Sequence, residues 1–249
     1  MEGYRSDTYG NAFADVYDEW YRGLGDIGSL VGLMDEETPS TGETPRKVLE
    51  LGVGTGRLAL PLADAGFDVT GVDASTAMLD RLLVADPEHR ITVVHGDMVD
   101  DLPAGPFTAV LIAYNTIFNL ETADRQRRLF AEAAARLTDD GCFVVEAFVP
   151  DDPPRSGAEL MVRSLCADRV VLSATITEPS TQRAEGQFVE LTEAGGVRLR
   201  PWSIRYTTPA QLDEMAAAGE LVLAARYADT DRTPFDDSSR HHVSIYRRT

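Results

Sequence analysis

The sequence predicts an α/β fold: a doubly wound, Rossmann-like, seven-stranded and mostly parallel sheet, with an antiparallel β meander inserted after the fifth strand. Three observations predict it. Short apolar runs alternate with amphipathic stretches between residues 47 and 149, which is typical of a parallel sheet covered by helices on both faces. A glycine-rich turn follows the first apolar run, and three β-rich segments succeed one another from Cys166 onward. The chain of 249 residues fits one large domain, or one domain with a small subdomain.

The first 45 residues predict an N-terminal helical lid, residues 1–45, ahead of the sheet. A first helix is expected over residues 10–24, because apolar side chains recur there at helical spacing; they are Phe13, Val16, Tyr17, Trp20, Tyr21 and Leu24. A second short helix is expected over residues 29–37, before the loop TPSTGETP, which is rich in turn residues.

The core domain is expected over residues 46–150 and 207–249. Its first five strands are predicted at KVLEL (47–51), FDVTGVD (67–73), ITVVHGD (91–97), FTAVLIAY (107–114) and CFVVEAFV (142–149). The helices between them are predicted at GRLALPLADAG (56–66), STAMLDRLLVAD (75–86) and TADRQRRLFAEAAARLT (122–138).

The remainder of the chain completes the sheet after an insertion. ADRVVLSATITE, RAEGQFVELTE and GVRLRPWSIRYT predict three antiparallel β segments, which form an inserted subdomain over residues 160–206. A helix then begins at Pro209, with Thr208 as its N-cap. The segments ELVLAARYAD and HHVSIYRR supply the last two strands.

Composition limits the partners and the location. A formal net charge of −18 argues against nucleic acid, which proteins bind by neutralising phosphates. The short arginine groups at positions 125, 127 and 128 and at 247 and 248 are typical of solvated surface charge. Cys142 and Cys166 have neither disulfide nor metal-ligand spacing, so no metal is expected. No apolar run approaches the ~20 residues that cross a bilayer, and the N-terminus lacks signal-peptide features; we expect a cytoplasmic protein without a membrane partner.

A glycine-rich turn, GVGTGR (52–57), lies at the end of the first predicted strand. Ligands of open α/β sheets bind outside such strand ends, and glycines let a ligand approach the backbone. The dinucleotide fingerprint GxGxxG is not met, because Arg57 stands where its third glycine would be. Such a turn also occurs as a plain strand–helix connection, so by itself it does not indicate a ligand.

Carboxylates at three successive strand ends are more informative. Asp73 ends the second strand, where an acid accepts hydrogen bonds from both ribose hydroxyls or caps the next helix. Asp97 follows the third strand, where an acid accepts from an adenine amine while Met98 and Met78 contact the ring. Glu50 adds a carboxylate near the expected position of an ammonium group. Together they fit an adenosine ligand that bears a positive sulfonium and no phosphate.

At these residues the chain resembles class I S-adenosylmethionine-dependent methyltransferases, with ELGVGTGR as the first motif, GVDAS carrying the ribose acid and GDM carrying the adenine contact. The resemblance spans residues 10–249. It is closest to an actinobacterial small-molecule group and looser to amino-sugar N,N-dimethyltransferases and peptide N-methyltransferases. It implies S-adenosylmethionine as cofactor, S-adenosylhomocysteine as product, and cofactor contacts at Tyr9, Glu50, Gly52, Gly54, Thr55, Gly56, Arg57, Asp73, Ala74, Met78, Gly96, Asp97, Met98 and Tyr114.

The resemblance places the methyl acceptor where strands 4 and 5, the N-terminal helix and the insertion meet. Candidate catalytic residues there are Tyr17, Asn115 and Glu146, and candidate substrate contacts are Tyr21, Phe118, Phe148, Arg205, Tyr206 and His241.

Each of these candidates also has a structural alternative. Tyr17 and Tyr21 equally suit helix packing, and Asn115 equally suits a cap at the end of its strand. Glu146 lies in an apolar strand, where a carboxylate needs a partner: either Arg205 pairs with it, or it holds an acceptor ammonium and takes its proton. His241 and His242 begin the last strand, where either one facing the pocket would supply a base.

We therefore expect methyl transfer to a small-molecule or short-peptide acceptor, at an amine nitrogen, in natural-product metabolism, with a homodimer as the assembly to consider. O-methylation of a small hydroxylated natural product and adenosine binding without catalysis are the alternatives. A dehydrogenase is disfavoured because Lys47, the only lysine, is not in a Tyr-x-x-x-Lys pair. A nucleic-acid methyltransferase is disfavoured because NTIF (115–118) differs from the Asn/Asp-Pro-Pro-aromatic signature.

Overall fold

The computed structural model describes residues 1–23, 25–38 and 46–249. Its strands are β1 (Lys47–Leu51), β2 (Asp68–Asp73), β3 (Thr92–His95), β4 (Phe107–Ile112), β5 (Leu137–Phe148), β6 (Gly157–Leu165), β7 (Arg169–Glu178), β8 (Arg183–Thr192), β9 (Val197–Arg205), β10 (Leu221–Tyr227) and β11 (His241–Arg248). Its α-helices are α1 (Thr8–Phe13), α2 (Tyr17–Trp20), α3 (Ile27–Glu37), α4 (Ala59–Asp64), α5 (Thr76–Ala85), α6 (Ala123–Ala134) and α7 (Pro209–Ala218).

The main sheet has seven strands in the order β10-β11-β5-β4-β1-β2-β3. Strands β1 to β5 pair in parallel, and β11 runs antiparallel to both β5 and β10. The strand order reverses between β1 and β4, the position where open α/β sheets bind ligands. The predicted fold class is confirmed.

Apolar side chains cover both faces of this sheet, because alternate residues of each strand point to opposite faces. On β5, Phe143 joins the cluster under α6 and α7, where Phe130 packs between Phe143 and Tyr246 with ring centroids 5.2 and 5.4 Å apart. The next residue, Val144, joins the cluster on the other face under α3, α4 and α5. No helix in the described part of the chain is long and apolar enough to span a membrane.

The N-terminal segment forms two short helices where the spacing predicts one. The expectation of a single helix over residues 10–24 is wrong, because the chain leaves helical geometry between Phe13 and Tyr17, and residue 24 lies outside the described residues. The aromatic residues are nevertheless buried together: the Phe13 ring meets the rings of Trp20 and Phe188 edge-on at 6.1 and 5.8 Å. The aromatic spacing therefore reflects packing against the inserted sheet.

Helix α3 was predicted two residues shorter than it is, and the predicted loop over residues 38–45 falls largely outside the described residues. Helix α3 begins at Ile27 because the Asp26 carboxylate caps its N-terminus by accepting the Ser29 N–H at 3.1 Å. The predicted Thr208 cap of α7 is confirmed: its hydroxyl accepts the Gln211 N–H at 3.3 Å.

The inserted region contains one strand more than the sequence indicates. It is a four-stranded antiparallel sheet in the order β6-β7-β8-β9. The three segments expected from Cys166 onward are confirmed as β7, β8 and β9, whereas the edge strand β6, which precedes Cys166, was not predicted. Nearly all side chains of β6 are exposed. Its sequence, GAELMVRSL, therefore lacks the alternation of apolar and polar residues that identifies a half-buried strand.

Candidate active site

A cavity of ≈ 390 Å³ opens at the carboxyl ends of β1 and β2, beneath α1. We refer to it as the central cavity. Its walls come from the N-terminal segment and from the loops that follow β1, β2, β3 and β4, so the residues that form it are far apart in sequence. They are Tyr4, Arg5, Ser6, Tyr9, Gly10, Tyr17, Gly52, Gly54, Val72, Asp73, Ala74, Met78, Asp97, Met98, Thr116, Asn119, Leu120, Glu121, Thr122 and Arg125.

The glycine-rich turn forms the floor of the central cavity. Gly52 has φ +74°, and a Cβ there would lie 2.5 Å from the Thr116 Cγ2 atom, so only glycine fits. Gly56 does not line the cavity; with φ +84° it lets the turn approach Leu82 of α5. Thr55 is also outside the cavity, and its hydroxyl donates to the Asp18 carboxylate at 2.7 Å, which joins the turn to the N-terminal segment.

Asp73 connects the ends of β1 and β2. Its Oδ2 accepts the Gly54 N–H at 2.9 Å and its Oδ1 accepts the Ser75 N–H at 2.8 Å. Ser75, and not Asp73, caps α5 by accepting the Met78 N–H. Burial raises the pKa of Asp73, although these two N–H groups oppose the shift. Each carboxylate oxygen keeps a lone pair toward the cavity for a further donor.

At the other end of the cavity wall, Asp97 is held by an arginine. Asp97 Oδ1 accepts the Val99 N–H at 2.8 Å and pairs with the Arg125 guanidinium at 2.5 Å. The interpretation of Arg125 as solvated surface charge is therefore wrong, because it lines the cavity and orients this carboxylate. Met78 and Met98 lie in the same wall. Gly96 does not line it; there, a Cβ would meet the Asp101 side chain at 2.5 Å.

Behind the wall lie two side chains whose buried polar atoms have no hydrogen-bond partner among the described residues. Glu50 is only 5 % exposed, and its Oε2 has no hydrogen-bond partner among the described residues. Burial is the main cause that raises the pKa of the Glu50 carboxyl to about 8, and the negative charge of Asp73 adds to it. The Arg57 guanidinium lies over the Tyr114 ring, 4.4 Å from its centroid, and neither Nη atom has a hydrogen-bond partner within the described ranges.

Glu50 and Arg57 both act electrostatically on Tyr17 and Tyr114, so the two side chains lie around the same pair of rings. Buried polar atoms without partners are costly. A zwitterionic amino-acid group, whose ammonium and carboxylate match these two side chains, would satisfy both. The residues present thus fit the methionine part of S-adenosylmethionine, as Asp73 and Asp97 fit its adenosine.

Tyrosine hydroxyls line the side nearest α1 and α2. The Tyr9 hydroxyl donates to the Tyr21 hydroxyl at 3.2 Å, and the Tyr17 and Tyr21 rings lie 4.9 Å apart. Burial raises the pKa of Tyr9 and of Tyr17 well above 10. Tyr4 also lines the cavity, and burial raises its pKa to about 12. The hydroxyls of Tyr4, Tyr9 and Tyr17 therefore stay neutral at physiological pH.

Of the two alternatives for Glu146, the ion pair with Arg205 is wrong. Glu146 Oε2 accepts the Tyr114 N–H at 3.1 Å, and burial raises the pKa of this carboxyl. The Arg205 guanidinium instead donates to Gln126, Thr207 and Gln182 at 2.7, 2.8 and 2.6 Å, at the seam between α6 and β9. Neither Glu146 nor Arg205 lines the central cavity.

The side chain of Asn115 bridges two strand ends. Its Oδ1 accepts the Phe148 N–H at 2.6 Å, and the residue has a left-handed backbone with φ 65°. This arrangement corresponds to the capping alternative, and Asn115 does not line the central cavity.

The other expected substrate contacts are dispersed. The expectation that Phe118 contacts substrate is contradicted, because its side chain is completely buried and packs edge-on to Phe148 at 4.8 Å. Phe148 and Tyr206 line a separate, smaller cavity of ≈ 160 Å³. His241 is exposed and lines neither cavity. His242 is fully buried, and burial lowers its pKa to about 3, so it is a core residue and not a base in the cavity.

Several cavity residues have no strong sequence signal. Thr116, Asn119 and Glu121 follow β4 in a short 3-10 helix and its exit, and only the neighbourhood of the strand end pointed to them. Glu121 accepts from the Arg183 guanidinium at 2.7 Å and from the Ser203 hydroxyl. Tyr4 precedes the first helix, where no periodicity identifies it.

Comparison with known proteins agrees with this geometry. A family model described as a methyltransferase domain matches residues 48–141. The fold and the site therefore define a methyltransferase of the α/β class.

A solved structure, the CcbJ methyltransferase from Streptomyces caelestis, is 37% identical; the match covers 99% of this chain and 100% of that one with a TM-score of 0.89. The cypemycin N-terminal methyltransferase from Streptomyces sp is 28% identical over 93% of this chain and 90% of that protein. The sugar N-methyltransferase KedS8 from Streptoalloteichus sp ATCC 53650 is 19% identical, with a TM-score of 0.70. The match covers 100% of this chain and 99% of that one, and the two proteins share the fold. The chain belongs to the S-adenosylmethionine-dependent methyltransferases.

Proposed function

We propose that this enzyme transfers the methyl group of S-adenosylmethionine to an amine nitrogen of a small-molecule or short-peptide acceptor in natural-product metabolism. One observation carries the proposal: the described wall of the central cavity contains carboxylates and neutral tyrosines, and neither histidine nor lysine. The relative named as a cypemycin N-terminal methyltransferase, which is similar along nearly the whole chain, supports an amine acceptor.

The donor is proposed to lie along the floor of the central cavity. Asp73 would accept the ribose hydroxyls with the lone pairs that Gly54 and Ser75 leave open. Asp97, held by Arg125, would accept from the adenine amine beside Met98. This placement directs the sulfonium methyl toward the tyrosine-lined part of the cavity.

The methionine end of the donor is proposed to extend toward Glu50 and Arg57. Its ammonium would lie near the Glu50 carboxylate and its carboxylate near the Arg57 guanidinium, because both side chains have buried polar atoms without a hydrogen-bond partner among the described residues. Charged hydrogen bonds of this kind contribute about 1.5–3 kcal/mol each.

The acceptor is proposed to enter from the side of Tyr4, Asn119 and Glu121. Methyl transfer is an in-line displacement that requires a positioned nucleophile and exclusion of water. A neutral amine attacks without prior deprotonation, whereas an alcohol needs a base of suitable pKa. Of the carboxylates in the wall, Glu121 already accepts hydrogen bonds from the Arg183 guanidinium and the Ser203 hydroxyl. The cavity therefore favours nitrogen over oxygen.

A competition experiment tests this function. The purified enzyme is incubated with donor labelled in the methyl group and with pairs of acceptors that differ only in an amine or a hydroxyl, including peptides with free and acetylated N-termini. We expect label in the amine-bearing member of each pair, and strongly reduced labelling by Asp73→Asn when the donor is below saturation. Label confined to hydroxyls would overturn the nitrogen assignment.

A further inference from the structure

The carboxylate of Glu121 has one oxygen that the protein leaves open. Glu121 lines the central cavity, and its side chain is 28 % exposed. Its two donors, the Arg183 Nη2 atom at 2.7 Å and the Ser203 hydroxyl, both bind the same oxygen, Oε1. The other oxygen, Oε2, accepts a hydrogen bond from no described residue, and it is not enclosed by the protein. One half of this carboxylate is therefore available to a ligand.

The backbone on both sides of Glu121 is fixed, as a selective contact requires. Leu120 is 3 % exposed and packs in the core. Thr122 is the N-cap of α6, and its hydroxyl accepts the Arg125 N–H at 3.2 Å. Since Oε1 is held as well, the Glu121 side chain loses little conformational freedom when a ligand binds Oε2. The carboxylate is thus arranged for binding before the ligand arrives.

Polar side chains accompany Glu121 at this end of the cavity. Asn119 lines the same cavity, and its side-chain amide makes no hydrogen bond with a described residue. Tyr4 lies close by, because the Glu121 charge adds to the burial that raises the pKa of this tyrosine to about 12. An amide and a neutral phenol can each donate or accept. This end of the cavity can therefore bind a polar group of the acceptor in addition to the amine that receives the methyl.

The chemistry of methyl transfer separates the group at Oε2 from the nucleophile. An amine attacks only in its neutral form, with its lone pair on the axis of the sulfonium methyl. A carboxylate within hydrogen-bond distance of that amine would stabilise the protonated form, which has no lone pair to attack with. Oε2 of Glu121 is therefore suited to a second hydrogen-bond donor on the acceptor, away from the reacting nitrogen.

The ion pair with Arg183 determines which kind of donor fits best. The Arg183 guanidinium lies 2.7 Å from Oε1 and offsets the negative charge of Glu121. An ammonium at Oε2 would be attracted by Glu121 and repelled by Arg183, so its positive charge would gain little. A hydroxyl carries no charge to be repelled, and its hydrogen bond to an ionised carboxylate is short and strong. The pair thus favours a hydroxyl over a second ammonium.

We propose that Glu121 selects acceptors that carry a hydroxyl group as well as the amine, so that the substrate is an amino alcohol; this rests on the proposed transfer to nitrogen. The acceptor hydroxyl donates to Oε2 of Glu121. Arg183 of β8 and Ser203 of β9 hold the carboxylate from the inserted sheet. Glu121 is thus a specificity-determining residue, and Arg183 is a positioning residue that acts through it. The inserted sheet takes part in the choice of substrate through this contact.

The test uses sets of acceptors that share one carbon skeleton. Each set contains a short linear primary amine, the amino alcohol with a hydroxyl at the far end and the diamine with an amine there, and several chain lengths are compared. Methyl transfer from labelled donor gives kcat and KM. Binding is measured separately, by ligand-observed NMR on enzyme saturated with S-adenosylhomocysteine.

Three variants accompany the unmodified enzyme. Glu121→Gln and Arg183→Met change the proposed contact, and Glu132→Gln is the matched control. Glu132 is also 28 % exposed and paired with an arginine, Arg136 at 2.6 Å, but it does not line the central cavity. Binding of S-adenosylhomocysteine verifies that each variant is folded.

We expect the unmodified enzyme and Glu132→Gln to bind the best amino alcohol about tenfold more tightly than the matched amine or diamine, with the difference in KM and not in kcat. In Glu121→Gln the amide oxygen stays with Arg183 and Ser203 and an NH₂ group replaces Oε2, so this preference should fall to about threefold or less. Arg183→Met leaves the carboxylate charge unopposed and should shift the preference toward the diamine.

Equal binding of amine and amino alcohol by the unmodified enzyme would overturn the proposal, and so would a preference for the diamine. A hydroxyl preference that survives in Glu121→Gln, or that Glu132→Gln loses to the same extent, would also contradict it. An unchanged ranking in Arg183→Met would remove the positioning role of that residue. Absence of label on nitrogen contradicts the proposed function instead, because the binding preference is measured without turnover.

Discussion

The buried carboxyl of Glu50 makes donor binding depend on pH in a calculable way. Its pKa is raised to about 8 by burial and by the Asp73 charge, so at pH 7 about 0.9 of the free enzyme carries the proton. If the donor's ammonium binds beside it, the carboxyl ionises and the proton leaves. The affinity for S-adenosylhomocysteine then rises with pH, about 25-fold between pH 6.0 and 7.5.

Isothermal titration calorimetry in buffers of different ionisation enthalpy measures both quantities. We expect release of about 0.9 proton per S-adenosylhomocysteine bound at pH 7, with a steep dependence of affinity on pH. The control Glu50→Gln is isosteric and does not titrate, so its affinity should be flat over this range. A flat profile for the unmodified enzyme, or an equal slope in Glu50→Gln, would refute the assignment of the ammonium to Glu50.

Three further predictions concern stability and the lid. Burial lowers the pKa of His242 to about 3, so this neutral histidine contributes stability above pH 6.5 that is lost as the pH falls toward 3. Denaturant titrations should show the unfolding free energy of the unmodified chain falling, relative to His242→Gln, by about 1.4 kcal/mol per pH unit below 6.5; parallel profiles would contradict this. Gly56→Ala should cost about 2 kcal/mol in the same assay, because φ is +84° and the added Cβ meets Leu82; an unchanged midpoint would show that the turn relaxes. Thr55→Val removes the hydrogen bond to Asp18 and should weaken donor affinity about threefold to tenfold, measured by calorimetry with the melting temperature as control.

The donor side of the site was largely predictable because its residues follow parallel strands, whose carboxyl ends meet at one edge of a sheet. Once the strands pair in this order, glycines and acids at those positions lie together in the central cavity, as Gly52, Asp73 and Asp97 do. The strand order alone determines this, without knowledge of loop conformations. Glu50 was proposed for the same reason and Arg57 from the family resemblance; both lie behind the wall.

The acceptor side was less predictable because it depends on loops and on contacts distant in sequence. An ion pair of Glu146 with Arg205 was one of two alternatives, and it rested on chemistry alone; Arg205 turns toward Gln126 of α6, which no local pattern indicates. Tyr4 reaches the cavity only because the N-terminal segment folds over it. Phe118 follows a strand end as Thr116 does, but the tight 3-10 turn directs it into the core.

The same limit explains the error about β6. Sequence patterns identify strands through half-buried alternation, and β6 has an exposed side chain at almost every position. The arginine at position 125 was misjudged for a related reason, since its partner Asp97 lies 28 residues earlier in the chain.

The measurement that tests the account most directly is the affinity of Asp73→Asn for S-adenosylhomocysteine. Asp73 holds the turn through Gly54 and is proposed to bind both ribose hydroxyls, so loss of one charged acceptor should weaken binding at least about tenfold. Asp68→Asn, at the exposed opposite end of the same strand, is the control and should bind as the unmodified enzyme does. One-to-one binding by the unmodified enzyme that falls only in Asp73→Asn is the predicted result; unchanged affinity in a folded Asp73→Asn would contradict the placement of the donor in the central cavity.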